Sequence, residues 1–303
     1  MVALSPSPYP MTTVHGYESH SWVAGDGTRL VYHTVGDGPV VVAANGIGGT
    51  FHALRHLYRH LARRHRIISW DYRALHASER PQDPRAVLVE DNAADLEGLL
   101  DHLGVRRALF VGWSMGVQVN FELYRRRPEL FAGIAAFNGT AGHAFASMRR
   151  SLATRLLVNT ILRLMERHGA PLGAAARAAT TTPTIVHLMR SVGLLAPTVD
   201  VEVFFDLVHD YACLDFEQYG IILAALDLHS AWDVLPTVRV PTSVVVGDRD
   251  FMTPVGVAHR ICDAIAGSEL TVLRGATHFA PIEQPRAFND ALDRLLARTK
   301  LGA

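Results

Sequence analysis

Residues 108–116 read Ala-Leu-Phe-Val-Gly-Trp-Ser-Met-Gly, and helical periodicity follows from Met115 to Arg127. The apolar run that ends at Val111 predicts a strand buried on both faces of a sheet. A serine flanked by glycines between a strand and a helix predicts a sharp turn, because glycine lacks the Cβ atom that such a turn would crowd. The start of the helix directs its dipole and its unpaired N–H groups at this serine. We therefore expect Ser114 to be a nucleophile exposed at a strand-to-helix turn.

Strand and helix signals alternate on both sides of this turn. Apolar and alternating runs predict strands over residues 21–24, 28–34, 40–44, 66–71, 108–111, 133–137, 242–246 and 270–273. Helical periodicity predicts helices over residues 50–64, 86–103, 115–127, 254–266 and 285–298. This alternation predicts an α/β fold, with a mostly parallel eight-stranded sheet covered by helices on both faces.

The alternation breaks after Asn138. From about Gly142 to Ser230 the chain shows helical segments and no convincing strand, over a length that exceeds an ordinary loop. Such a segment inside an α/β sheet indicates an all-helical cap, or lid. The predicted division is a core domain of residues 17–140 and 232–303, a helical cap of residues 141–231, and a flexible N-terminal tail of residues 1–16. The tail contains three prolines and no apolar segment, which is not the pattern of a signal peptide.

A serine nucleophile needs a general base and a group that orients the base. Downstream of Ser114, Gly247-Asp248-Arg249-Asp250 follows one predicted strand, and His278 follows the last one. Because sites in open α/β sheets lie at the carboxyl ends of strands, we expect these side chains to meet Ser114. The sequence therefore predicts His278 as the base, with an acid from the 247–250 loop to orient it.

These motifs together resemble the α/β-hydrolase superfamily, in its branch of capped esterases, lactonases and carbon–carbon hydrolases. The resemblance extends from about Ser21 to Leu296. The matching segments are Gly46-Ile47-Gly48-Gly49, Asp71-Tyr72-Arg73, the turn at Ser114, Gly247-Asp248-Arg249-Asp250 with Pro254, and Gly275 with His278. In that superfamily the second acid of a Gly-Asp-x-Asp loop belongs to the catalytic triad. The resemblance therefore implies a triad of Ser114, Asp250 and His278, and leaves Asp248 to cap the turn.

The resemblance also implies an oxyanion hole made of two backbone N–H groups. One belongs to Met115, which follows the nucleophile, and the other to Ile47, in the loop after the third strand. The chain departs from the superfamily there, with Asn45 where a histidine is usual, and again at residues 74–76, where glycines are usual. Some members of the superfamily carry the triad acid after an earlier strand, which in this chain would place it near position 138. That position is Asn138, so this variant of the triad is not expected.

The expected activity is hydrolysis of a carboxylic ester or lactone through an acyl-enzyme intermediate. The apolar residues of the predicted cap favour a substrate with an apolar portion, and we expect Trp113, Phe51 and Phe279 at the substrate pocket. The same triad also supports carbon–carbon bond hydrolysis, thioester hydrolysis, acyl transfer and cofactor-free perhydrolysis. A receptor-type protein that keeps the fold and turns over slowly is a further alternative, which the complete triad disfavours.

Charge and composition argue against several other classes of protein. The 303 residues carry 29 basic and 29 acidic side chains, a formal net charge of +0 that does not favour nucleic acid as a partner. The only lysine is Lys300, which excludes a Schiff-base lysine within the fold. No apolar run reaches the roughly 18 residues of a membrane span, so we expect a cytoplasmic monomer or homodimer that acts on a small molecule. Cys213 and Cys262 stand in no metal-ligand pattern and are expected to be buried free thiols.

Two further patterns imitate cofactor or metal sites. The run Val40–Gly49, with a later acid, imitates a dinucleotide-binding fingerprint, but Phe51 stands where that fingerprint needs Gly or Ala. His52, His56 and His60 repeat at four-residue spacing on one predicted helix, without an accompanying acid or cysteine signature. We expect a solvated helix face there, and we predict no cofactor and no metal.

Overall fold

The computed structural model describes residues 16–147, 152–180, 182 and 184–301. Apart from Gly16, the tail predicted over residues 1–16 lies outside the described residues. The strands are β1 (Glu18–Val23), β2 (Arg29–Val35), β3 (Val40–Ala44), β4 (Arg66–Trp70), β5 (Ala108–Trp113), β6 (Phe131–Phe137), β7 (Thr242–Gly247) and β8 (Glu269–Leu273). Each of them corresponds to a predicted strand.

The eight strands form one sheet in the order β1-β2-β4-β3-β5-β6-β7-β8. β1 pairs with β2, and β2 with β4, in antiparallel fashion, while the remaining neighbours are parallel. This confirms the predicted mostly parallel sheet. Because the parallel strands share one direction, the loops that follow β3, β5, β6, β7 and β8 all lie at the same edge.

Helices cover both faces of the sheet, as predicted. α1 (Arg55–Leu61) and α10 (Pro285–Arg298) pack on one face, and α2 (Val89–His102), α3 (Met115–Arg126) and α8 (Val255–Ala264) pack on the other. Within β3, Val42 belongs to one core and Val41 to the other. This alternation is expected from the two-residue period of a strand buried on both faces.

In the part of the chain that the structure describes, four α-helices lie between β6 and β7, although these two strands are direct neighbours in the sheet. They are α4 (Leu152–Ala179), α5 (Thr184–Ser191), α6 (Val201–Ala212) and α7 (Phe216–Leu228). α4 bends at His168, whose φ of −133° and ψ of 32° are not helical, shortly before Pro171. The insertion leaves and returns at one point, where Gly142 and Ser230 form an antiparallel bridge. No helix among the described residues is long and apolar enough to cross a membrane.

Two local predictions were wrong. The helix predicted over residues 50–64 is shorter, because a 3₁₀ turn over Phe51–Leu54 precedes α1, which ends at Leu61. Cys213 is exposed rather than buried, because it caps the carboxyl end of α6. Cys262 is partly buried, and both thiols are free.

Candidate active site

Ser114 lies at the turn from β5 into α3, with φ of 54° and ψ of −114°. A positive φ of this kind is strained for a residue other than glycine. The backbone N–H of Ser114 donates to the carbonyl oxygen of Phe137 at 3.0 Å, which ties the turn to the end of β6. Gly116 lets α3 pack closely on β3, since a Cβ atom there would overlap the carbonyl oxygen of Ala44. The strained turn therefore presents Ser114 at the carboxyl edge of the sheet.

Ser114, His278 and Asp250 form one hydrogen-bonded series. Ser114 Oγ lies 3.0 Å from His278 Nε2, and His278 Nδ1 lies 2.9 Å from Asp250 Oδ2. His278 and Asp250 are buried, whereas Ser114 is partly exposed. In this arrangement the serine hydroxyl can donate to the imidazole, while the other ring nitrogen donates to the carboxylate.

The Asp250 carboxylate accepts four hydrogen bonds besides the one from His278. Its Oδ1 accepts from the backbone N–H groups of Met252 and Thr253 at 2.9 and 2.8 Å, and its Oδ2 accepts from Thr253 Oγ1 and Asn138 Nδ2 at 2.7 and 2.9 Å. Burial by itself raises the pKa of Asp250, but the charge of His278 and the side-chain hydrogen bonds hold the pKa below its usual range. The carboxylate is therefore kept ionised and is fixed in its orientation towards His278.

A second set of contacts holds the loop that carries His278. Trp113 Nε1 donates to the carbonyl oxygen of His278 at 3.1 Å. Thr277 donates its backbone N–H and its hydroxyl to Glu283, at the end of the short helix α9 (Ala280–Glu283), at 2.6 and 2.7 Å. Glu283 also accepts from the backbone N–H of Ala196, in the helical insertion, at 2.7 Å. One buried carboxylate thus ties the histidine loop to the inserted helices.

The loop after β3 lies against Ser114. A Cβ atom built on Gly46 would be 3.3 Å from the Cβ of Ser114. Three side chains hold the loop's carbonyl groups: Tyr72 Oη donates to Asn45 at 2.7 Å, Tyr211 Oη to Ile47 at 2.6 Å, and His76 Nε2 to Gly48 at 2.9 Å. The Ile47 N–H donates to no described residue, and the Met115 N–H lies in the first turn of α3, where no intrahelical acceptor exists. Neither of the two N–H groups predicted for the oxyanion hole therefore has an intramolecular acceptor among the described residues.

A cavity of about 290 Å³ lies over Ser114. Its wall on the side of the insertion comes from α5, α6 and α7, including Met189, Phe204, Leu207, Tyr211, Tyr219 and Leu223. Trp113 and Phe279 line its other side, as the sequence predicted for both. Phe51 does not border this cavity, because its ring is buried in the core. The centroid of the Phe51 ring lies 4.5 Å from that of the Tyr58 ring. The prediction of a pocket role for Phe51 is therefore corrected.

Ser114 also borders a second compartment of only about 40 Å³. Met115, Gln118 and Thr140 contribute to its wall, while Met252 and His278 line both compartments. Beyond Met252 a further cavity of about 390 Å³ opens beside Thr140. Ser114 and His278 therefore both border a larger apolar compartment and a small one.

Asp248, the other acid of the 247–250 loop, bonds to a different part of the site. Its Oδ1 accepts from the backbone N–H of Gly275 at 2.7 Å, which joins the loop after β7 to the loop after β8. Asp250 is the acid of this loop that faces His278. The structure thus brings together the residues that the resemblance assigned to the triad.

The three histidines at four-residue spacing do not converge. His56 pairs with Asp200 at 3.0 Å and His60 with Asp293 at 2.8 Å, on different elements. His52 is partly exposed, like His56 and His60, and its ring packs against Tyr17. Within the described ranges, no group of three or more histidine, cysteine or acidic side chains is arranged to hold a metal ion.

Three contributors to the site were not predicted from the sequence. Asn138 was considered only as a position without an acid, yet its amide donates to Asp250 and to the carbonyl oxygen of Thr277 at 3.1 Å. Tyr211 and Glu283 reach the site from elements that carry no motif. The one available signal was an asparagine directly after β6, at the edge where the other site residues were expected.

The alpha/beta hydrolase fold family matches this chain over residues 39–285. The 3-oxoadipate enol-lactonase 2 of Acinetobacter baylyi is 28% identical over 273 residues, which cover 89% of this chain and 93% of that protein. The putative carbamate hydrolase RutD of Stutzerimonas stutzeri is 23% identical over 257 residues, covering 84% of this chain and 91% of that protein. The solved structure of the enol-lactonase from Burkholderia xenovorans superposes with a TM-score of 0.74 at 23% identity, covering 92% of this chain and 100% of that chain. Since the family match spans most of the residues and the sheet has the predicted topology, the chain belongs to the α/β-hydrolase family.

Proposed function

We propose that this protein is a serine hydrolase that cleaves a carboxylic ester or lactone with an apolar portion. The observation that carries the proposal is the series from Ser114 Oγ through His278 to Asp250, with separations of 3.0 and 2.9 Å. A nucleophile, a base and an orienting acid in this order are what acyl transfer to serine requires. A receptor-type binding protein needs neither the strained serine nor its base, so the geometry favours an enzyme.

In the first half-reaction, Ser114 Oγ attacks the carbonyl carbon while His278 Nε2 takes the hydroxyl proton. Asp250 holds the proton on Nδ1 and stabilises the imidazolium that forms. The N–H groups of Ile47 and Met115 stabilise the charge that develops on the carbonyl oxygen, each by about 3 kcal/mol. His278 then gives its proton to the departing alcohol, and the acyl group stays on Ser114.

In the second half-reaction, water replaces the alcohol. His278 removes a proton from the water as it attacks the acyl carbonyl carbon, and the oxygen again becomes negatively charged beside Ile47 and Met115. Collapse of this intermediate breaks the bond to Ser114 Oγ, which recovers the proton from His278. The carboxylic acid leaves, and these steps use only groups of the chain itself.

The inserted helices act as a cap on this site. The proposed division keeps residues 17–140 and 232–303 as the core and residues 141–231 as the cap. The cap helices α5, α6 and α7 provide one wall of the cavity over Ser114, and the bridge between Gly142 and Ser230 joins the two ends of the cap. Substrate selection therefore depends mainly on cap residues, and the chemical step on core residues.

The two compartments favour an unsymmetrical substrate. The compartment of about 290 Å³ is lined mainly by apolar and aromatic side chains and suits the apolar portion. The compartment of about 40 Å³ suits a group of only a few heavy atoms on the other side of the scissile carbonyl. Substrates that are bulky on both sides of the carbonyl are expected to react slowly.

The relatives extend the set of substrates to be tested. They include an enol-lactonase and a putative carbamate hydrolase, so lactones and carbamates join simple esters as candidates. Carbon–carbon bond hydrolysis, thioester hydrolysis, acyl transfer and perhydrolysis use the same triad and remain alternatives. Of these reactions, ester or lactone hydrolysis requires the fewest groups in the site, because a triad and two N–H donors are sufficient.

The nucleophile is tested by labelling with a fluorophosphonate probe. We expect the wild-type protein and a Ser147→Ala control to be labelled, and Ser114→Ala to remain unlabelled. Ser147 is a suitable control because it lines the neighbouring cavity and its hydroxyl bonds to the carbonyl oxygen of Met252. Labelling that persists in Ser114→Ala would rule out this residue as the nucleophile.

The reaction class is tested with p-nitrophenyl esters of increasing acyl length, together with lactones and carbamates. We expect kcat for the preferred ester to fall by at least about 1,000-fold in Ser114→Ala. Equal and slow turnover of every substrate by the wild type and by Ser114→Ala would instead favour a binding protein.

A further inference from the structure

The outer surface of the first cap helix is apolar where a water-facing helix is usually polar. In α4, Val158, Leu162 and Met165 are buried, and Val158 and Leu162 pack with Leu223 of α7. On the same helix Leu157, Ile161 and Leu164 are exposed. At about 100° per residue, these three side chains form a stripe directly beside the buried one. The apolar face of α4 is therefore wider than the surface that α7 covers.

A second cap helix and a core loop each carry an exposed apolar side chain next in sequence to a residue that lines the cavity. On α5, Leu188 is exposed next to Met189, which lines the cavity. In the loop after β7, Phe251 is exposed next to Met252, which also lines the cavity. Leu188 and Phe251 are thus exposed apolar residues on two separate segments, and each is next in sequence to a residue that lines the cavity over Ser114. We call the exposed stripe of Leu157, Ile161 and Leu164 on α4 the cap face.

The segment that carries the cap face has more basic than acidic side chains. Residues 152–192 contain five arginines and one glutamate, a net charge of +4, in a chain whose formal net charge is +0. Arg163 and Arg167 of α4 lie about 80–120° around the helix from Leu157, on the side away from the buried stripe. An amphipathic helix with an apolar stripe bordered by arginines is the pattern of a helix that lies in the surface of an anionic membrane.

We propose that the cap face docks on an anionic phospholipid bilayer. The apolar side chains enter the boundary between headgroups and acyl chains, while the arginines bind the anionic headgroups. Charge decides against a second copy of this chain as the occupant, because two cap faces would bring two segments of +4 together. Docking in this way holds the cap at the lipid surface, where apolar molecules collect.

The proposal is tested by co-sedimentation with vesicles of phosphatidylcholine alone or of phosphatidylcholine with phosphatidylglycerol. We expect the protein to bind only the vesicles that contain phosphatidylglycerol, and to be released as the salt concentration rises. Leu157→Glu with Ile161→Glu is expected to weaken this binding at least tenfold, because it places two negative charges in the apolar stripe. Arg163→Glu with Arg167→Glu is expected to have a similar effect.

Val23→Glu is the matched control. Val23 lies on β1 and is 58% exposed, against 59% for Leu157, so both substitutions add a charge at an equally exposed apolar position. The control is expected to bind vesicles like the wild type. Absence of binding, equal binding to both vesicle types, or equal binding by all variants would overturn the proposal. So would a dimer in solution that Leu157→Glu with Ile161→Glu dissociates, because a second copy would then cover the cap face.

The hydrolysis of a water-soluble ester separates this proposal from the proposed function. Neither Leu157 nor Ile161 lines the cavity over Ser114, so their variants should hydrolyse that ester at the wild-type rate. Retained hydrolysis with lost vesicle binding supports docking. Vesicle binding by a Ser114→Ala protein is expected to be normal, so the surface is tested even if the proposed chemistry fails.

Discussion

At the scale of single residues, the backbone of Ser114 is strained, and its neighbours are what make the conformation possible. The φ of 54° costs on the order of 1–3 kcal/mol for a residue with a Cβ atom. The hydrogen bond to Phe137 and the close packing of Gly116 on β3 oppose that cost. Strain of this kind persists only where the surrounding structure determines the backbone, which is why the turn depends on small residues.

Gly116→Ala is expected to disrupt this turn. The added methyl group would overlap the carbonyl oxygen of Ala44, so we expect destabilisation of about 3 kcal/mol or more, with loss of ester hydrolysis. Gly256→Ala is the matched control, since Gly256 is also the second residue of its helix and a Cβ there would meet no atom within 4 Å. Guanidinium unfolding of both variants checks the prediction, and equal stability of the two would contradict it.

The choice between the two acids of the loop after β7 can be tested at the same scale. Asp250→Asn keeps the shape but removes the charge that faces His278, so we expect kcat to fall by about 1,000-fold or more. Asp248→Asn removes only a bond to Gly275 and is expected to change kcat less than tenfold. Steady-state kinetics with one p-nitrophenyl ester distinguish the variants, and a larger loss in Asp248→Asn would reverse the assignment.

At the scale of elements, the catalytic loops are held by helices that contribute no catalytic group. α6 reaches the loop after β3 through Tyr211, whose hydroxyl bonds to Ile47, and α9 holds the histidine loop through Glu283. The hydrogen bond to the Ile47 carbonyl restrains the short segment to which the Ile47 N–H also belongs. In the proposed mechanism the cap therefore helps to shape the oxyanion hole as well as the substrate cavity.

Tyr211→Phe is expected to lower kcat about tenfold with little change in KM. The substitution removes the hydrogen bond to the Ile47 carbonyl, and a misdirected N–H weakens stabilisation of the transition state more than binding of the substrate. Tyr219→Phe serves as the control, because Tyr219 lines the same cavity without a bond to this loop. Equal values of kcat for the two variants would show that the loop does not depend on the cap.

The elements that carry motifs were predicted well from the sequence, and those that act through long-range contacts were not. The strand before Ser114 and the helix after it follow from local patterns, and β3 and α10 begin and end at the predicted residues. The first helix was predicted too long, because periodicity cannot distinguish a 3₁₀ turn from the α-helix that follows it. The roles of Asn138 and Tyr211 depend on which strands and helices become neighbours, and local patterns do not determine that.

At the scale of the whole molecule, the division into a core and a cap separates two demands on the sequence. The core must hold the series of Ser114, His278 and Asp250 in one geometry, so its site residues stand in short motifs. The cap must supply an apolar wall, which many combinations of residues can do, so its sequence predicts helices and little else. Phe51, which was predicted at the pocket, belongs to the core part of the chain and packs beside Tyr58.

The stability of the whole molecule is expected to fall in mild acid because of one partly buried histidine outside the proposed triad, His52. The ring of His52 packs edge-on against Tyr17, with ring centroids 5.3 Å apart. Burial, assisted by the charges of Arg55 and His33, lowers the pKa of His52 to about 4. Between this value and its ordinary value of 6.5, the unfolded chain binds a proton that the folded chain does not. Stability must therefore decrease as the pH falls through this range.

His52→Gln is expected to remove this part of the pH dependence. Between pH 7 and pH 5 the proton on the unfolded form of His52 costs the wild type about 2 kcal/mol of its free energy of unfolding, and glutamine binds no proton in this range. Urea unfolding of both proteins at the two pH values measures the difference, since the other titrating groups contribute equally to both. If the variant lost as much stability as the wild type on acidification, His52 would have to be protonated in the folded protein, and its burial could not be the source of acid sensitivity.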